Sequence, residues 1–98
     1  ETIRVEVDPE IEDLIPGFLE NRKKDIERLQ TALGQKNLDT VRTLGHNMKG
    51  SGKSYGFDQI TVIGKSLEEA AKRGDYDEAQ KRVEELLKYL NQVELVHK

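Results

Sequence analysis

The stretch that most constrains this chain runs from Val41 to Phe57, VRTLGHNMKGSGKSYGF. Its apolar and small positions are Val41, Leu44, Gly45, Met48, Gly52 and Tyr55. They recur three and four apart, the spacing of one helix face. At about 100° per residue they fall within a sector of roughly 100°, which the spacing predicts to face a core. His46 then projects about 150° from the centre of that sector, towards solvent. Arg42, Lys49, Gly50 and Lys53 share its outer face. A helix built only to pack would not carry glycine here, since Gly45, Gly50 and Gly52 each cost about 1 kcal/mol relative to alanine.

Clearance is the simplest account of Gly50. A position without a side chain, one turn from an exposed imidazole, lets another surface or a phosphoryl group come close to the ring. The flanking cations favour an anionic group at the ring nitrogen. An imidazole titrates near pH 6.5, so it is largely neutral and nucleophilic at neutral pH. Together these features point to a reversible phosphoryl acceptor. The plainer alternative is a surface histidine among solvated charges.

The rest of the chain reads as helices with short connections. Residues 1–7 alternate polar and apolar, which suits an extended linker or tail, or an edge strand in a longer parent protein. Asp8 and Pro9 form a helix-start signal, predicting a short helix to about Ile15 that Pro16 breaks or redirects. A second helix follows from Pro16 to Leu33, with Ile15, Phe18, Leu19, Ile26, Leu29 and Leu33 inward and Gly34 as its stop. Asn37 caps the helix that holds His46, and Gly56 terminates it. Asp58 is expected to cap the next, with Ile60, Ile63, Gly64, Leu67 and Ala71 inward and Gly74 at its end. The run from Asp75 to Glu78 has capping-box form. It opens a last helix with Ala79, Val83, Leu86, Leu87, Leu90 and Val93 inward. Connections of two to four residues force antiparallel neighbours. The fold class is therefore all-α: an antiparallel up-down four-helix bundle, residues 8–98, with a short N-terminal capping helix.

Glu68 flanks the apolar seam of its helix by about 90°. There it either faces the adjacent helix or stands in solvent, paired with Lys65 or Lys72. Lys72, one turn further on, can extend the basic rim formed by Arg42 and Lys53.

Other chemistries are set aside. GSGKS resembles the end of a phosphate-binding loop, but that motif needs glycine where Asn47 stands, and no buried strand precedes it. Glu94 and His97 have a Glu-x-x-His spacing that di-iron bundles use twice; here it occurs once, in last residues expected to fray. His46 and His97 lack metal-ligand spacing, so no metal site is expected. No Ser-His-Asp or Cys-His arrangement is evident, and without an ATP site the chain is not expected to be a kinase by itself. With 98 residues and no cysteine, one domain without disulfides is expected, in a cytoplasmic setting. A net charge of −3 argues against nucleic acid as the main partner. No run approaches the ~20 apolar residues of a membrane span. The only methionine is Met48; a processed chain or a piece of a longer protein is expected, the second in preference.

His46, Lys49, Gly50 and Gly56 reproduce an H-x-x-K-G-x-x-x-x-x-G signature. In this, and in its helix number and loop placement from about Asp8 to Val93, the chain resembles histidine phosphotransfer (HPt) domains. The resemblance implies that His46 is phosphorylated on Nε2, that Lys49 steadies the phosphoryl group and that Gly50 makes room for a receiver domain. Chemotaxis-kinase members of the family place a glutamate at the distance of Glu68, where it hydrogen-bonds the histidine Nδ1. The implied function is a phosphorelay intermediate. It takes phosphoryl from a receiver aspartate or a histidine kinase and passes it to another receiver. No cofactor of its own is implied, the divalent metal belonging to the receiver. A monomer without membrane contact is expected. The alternative is a helical interaction or dimerisation module of the same fold that carries no phosphate.

Overall fold

The protein's structure, a computed structural model, describes residues 2–97, with side chains through Val93. Four helices follow in order: α1 (Ile15–Gly34), α2 (Leu38–Ser54), α3 (Asp58–Arg73) and α4 (Tyr76–Gln92). Two- and three-residue connections make sequence neighbours antiparallel, and α1 also packs on α4, closing an up-down bundle. Among the described residues, no helix is long and apolar enough to cross a membrane.

The stops and starts follow local chemistry. Asn37 Oδ1 accepts from the Thr40 amide at 3.2 Å and Asp75 Oδ1 from the Glu78 amide at 3.0 Å, capping α2 and α4. Gly56 (φ 83°) and Gly74 (φ 72°) take the left-handed conformation after α2 and α3. Gly34 is not the stop of α1: the helix includes it, and the left-handed residue is Lys36 (φ 59°). The turn closes instead through the Asn37 amide on the Ala32 carbonyl at 2.8 Å. Asp58 does not cap α3; Phe57 holds that position without a side-chain bond, and Asp58 is the first helical residue. There its charge still suits the helix N-terminus.

The N-terminal capping helix shrinks to one 3-10 turn, Glu12–Leu14. Asp8 Oδ1 accepts from the Glu10 amide at 2.9 Å, a local turn rather than a helix cap. Pro16 interrupts no preceding helix, and the helix expected from it starts one residue earlier, at Ile15. Within the first turn of α1 its missing N–H costs nothing.

Residues 3–7, for which a linker or tail was one reading, form strand β1 (Ile3–Val7). It pairs in parallel with β2 (Val93–His97), Ile3 opposite Val93 and Val7 opposite His97. The last helix therefore ends at Gln92, and Val93 starts a strand where helix and then fraying were expected. A two-stranded ribbon is marginal alone; here Ile3, Val5 and Val7 line its inner side against the helical core. The side chains of Glu94 and His97 lie outside the described residues.

The core takes Val41, Leu44 and Met48 from α2, Ile60, Ile63 and Leu67 from α3, and Ala79, Val83, Leu86 and Leu90 from α4. Leu87 is a correction: it is 42 % exposed, and Tyr89, at 5 %, is buried instead. The two residues flank the stripe on opposite sides, and only the Tyr89 side is covered, facing α3 near Asp58.

The tightest junction is α2 against α3, and glycine explains it. A Cβ on Gly45 would lie 2.7 Å from the Glu68 amide nitrogen and the Gly64 carbonyl oxygen. One on Gly64 would lie 2.6 Å from the Lys49 amide nitrogen. One on Gly52 would meet the Thr61 backbone at 2.7 Å. Backbone therefore packs on backbone along the seam, and Thr61 Oγ1 donates to the Lys49 carbonyl at 3.0 Å.

Candidate functional site

The glycine seam sets up the site. With Gly45 under the Glu68 backbone, α3 passes close beside the residue that follows Gly45, which is His46. The Glu68 carboxylate, 9 % exposed, is thereby aimed at a ring that is itself 64 % exposed. His46 Nδ1 lies 2.9 Å from Glu68 Oε2, and Lys49 Nζ donates to Oε1 at 2.9 Å. Lys72 Nζ stands 4.0 Å from Oε2, an ion pair without a hydrogen bond. Of the two sequence readings of Glu68, the structure has the inward-facing one.

This geometry decides which ring nitrogen is free. The hydrogen bond from Lys49 chiefly, then the His46 contact and the Lys49 and Lys72 charges, lower the Glu68 carboxyl to about 2 against the opposing effect of burial. Glu68 is therefore ionised at neutral pH and can only accept, so Nδ1 carries the ring proton. The lone pair is left on Nε2, on the far side of the ring from α3.

The outer face of α2 is open on the Nε2 side. A Cβ placed on Gly50 would meet nothing within 4 Å, unlike those on Gly45 and Gly52. The side chains of Arg42 and Lys53 are exposed on α2 and make no ion pair or hydrogen bond among the described residues. Lys72, read both as part of the rim and as a partner of Glu68, stands half-exposed beside Glu68. The GSGKS run lies within α2 rather than in a loop, so its amides are spent on the helix. Among the described residues, no group of three His, Asp or Glu side chains converges as a metal site would.

One cluster went unread in the sequence. Asp25 is buried on α1 between Arg22, whose Nε is 2.9 Å away, and Arg28, at 4.0 Å. Burial raises its carboxyl above the ordinary range, the two arginines opposing. Arg22 also donates to Ser51 Oγ at 2.9 Å and lies over the Phe18 ring, which stacks on Tyr55 and Phe57. The available signal was the i, i+3 bracket of Asp25 by two arginines, with Asp25 seven residues past Phe18 on the inward stripe.

Comparison with protein families matches residues 13–95 to the Hpt domain. No curated protein and no solved structure matches the chain. The match spans all four helices and every residue of the site. The chain thus belongs to the Hpt domain family, the phosphocarrier modules of two-component signalling.

Proposed function

We propose that His46 is the phosphoacceptor and that the domain is a phosphorelay intermediate between receiver domains, or between a histidine kinase and a receiver. One observation carries this reading: an exposed imidazole whose Nδ1 is held at 2.9 Å by a buried carboxylate, leaving Nε2 to solvent. The Nε2 lone pair attacks the phosphorus of a receiver's aspartyl phosphate in line. The N–P bond forms as the acyl O–P bond breaks, and the aspartate leaves as a carboxylate. The ring, now cationic, keeps its proton on Nδ1 and donates it as a hydrogen bond to Glu68, so the charge that develops on attack is met by one already in place. Phosphohistidine is itself a high-energy phosphoramidate, and the same steps in reverse deliver phosphoryl to a second receiver.

The other residues take supporting roles. Lys49 steadies the phosphoryl oxygens, Gly50 admits the receiver's surface, and Arg42 and Lys53 complement its acidic pocket, which supplies the divalent metal. The chain contributes position and electrostatics rather than an ATP site. It acts as a monomer in the cytoplasm, where its partners are met in brief encounters of modest area.

The test is incubation with a phosphorylated receiver, assayed for acid-labile, alkali-stable label. His46→Gln abolishes labelling while the helical circular dichroism is retained. Equal labelling of that variant moves the site elsewhere. A wild-type chain that takes no label from any receiver or kinase leaves the interaction-module reading in its place.

A further inference from the structure

Lys49 has two claims on it. In the proposed reaction it attends the phosphoryl group on Nε2, yet in the structure its ammonium is bound to Glu68 Oε1, on the other side of the ring. A phosphoryl group brings roughly two negative charges at neutral pH. Lys49, three residues from His46, has the reach to turn to them. Doing so strips a hydrogen bond from a carboxylate that is 9 % exposed, and a buried charge that loses a partner is costly. The Nδ1–H donated to Oε2 does not replace it.

A second cation stands ready. Lys72 Nζ is 4.0 Å from Glu68 Oε2, one helical turn along α3, with a side chain 56 % exposed and no other partner among the described residues. Resting on the same rigid helix as Glu68, it can close that last distance by rotamer change alone. We infer that Glu68 exchanges lysines: Lys49 holds it in the free domain, and Lys72 takes it over when Lys49 turns to the phosphoryl group. Lys72 is then a positioning residue. It keeps Glu68 charged and in place, and through Glu68 the ring, during the phosphorylated half of the cycle. The inference rests on His46 being the acceptor and adds a residue whose role begins only after transfer.

Nuclear magnetic resonance of the lysine ammonium groups tests it on the whole chain. Exchange of the Lys72 ammonium protons with water is expected to slow about threefold on phosphorylation of His46, as an exposed pair becomes a hydrogen bond. The same slowing is expected in unphosphorylated Lys49→Gln, where Glu68 has already lost its first partner. In phosphorylated Glu68→Gln the slowing disappears. Lys72→Gln lowers the equilibrium share of phosphorylated His46 about threefold and Lys72→Arg restores it. Lys72 signals that ignore both phosphorylation and Lys49→Gln overturn the exchange. So does slowing that persists in phosphorylated Glu68→Gln, which would place Lys72 on the phosphoryl group itself. If no label enters His46, the phosphoacceptor reading fails, and the Lys49→Gln arm still decides whether Lys72 can replace Lys49.

Discussion

Among the described residues two carboxylates are buried, Glu68 on α3 and Asp25 on α1, each beside two cations. Their ionisation is pushed in opposite directions: Glu68 down to about 2, Asp25 above its ordinary value. Burial penalises both, so the partners make the difference. Glu68 receives a hydrogen bond from Lys49 on one oxygen and faces the His46 ring with the other. Asp25 shares Arg22 with Ser51 and the Phe18 ring, and its second arginine stands off at 4.0 Å. The Asp25 cluster ties α1 to α2, whereas Glu68 sets the chemistry of a ring. How deeply an acid is buried says little about its task; the donors aimed at it say more.

The largest test of that contrast lies beneath Glu68 rather than at it. Gly45→Ala drives a methyl group to 2.7 Å from the Glu68 amide nitrogen, and backbone cannot step aside as a side-chain tip can. A loss of roughly 3 kcal/mol in urea unfolding is expected, with disturbed His46 ring signals. Full stability in that variant would mean that something other than the glycine seam aims Glu68.

Next comes the carboxylate itself. Glu68→Gln is expected to slow phosphoryl uptake about tenfold, by analogy with other groups that orient a reactive histidine. Its 15N ring shifts should move from a fixed tautomer towards a mixture. Asp25→Asn, the matched change on α1, should label at the wild-type rate. Equal slowing in both would erase the distinction.

The two acids also predict opposite limbs of a stability profile. Glu68 has its folded value depressed, so its contribution is complete above about 4.5 and is lost as pH falls from there towards about 2. Denaturation series across that window should show the decline, and Glu68→Gln should flatten it. Asp25 is raised by burial, so the fold favours its neutral form and stability from this group falls as pH rises past its folded value. Asp25→Asn should therefore compare better with wild type at pH 7 than at pH 3. The reverse trend would mean that Arg22 and Arg28 outweigh burial at Asp25.

Much of the molecule was legible beforehand. The α2 stripe, the caps at Asn37 and Asp75 and the stops at Gly56 and Gly74 depend on residues within a few positions of one another, where pattern and turn chemistry act directly. Misreadings fell where a local signal had two uses. Asp8 and Pro9 suit a helix start and a local turn equally, and Gly34 looked like a stop while Lys36 made the turn. Leu87 and Tyr89 both flank their stripe, and only the position of α3 decided which was covered. The parallel pairing of Ile3–Val7 with Val93–His97 joins the two ends of the described chain, a contact no local pattern contains.

By itself the sequence determined that a histidine would stand exposed on a helix beside cations and an open glycine, because helical periodicity fixes which residues share a face. Only the tertiary structure decided that Nδ1 is the occupied nitrogen. That depends on how closely and at what rotation α3 lies along α2, set by backbone contact at Gly45, Gly52 and Gly64. A rotation of one residue, about 100°, would have turned Glu68 away and left His46 an ordinary surface side chain.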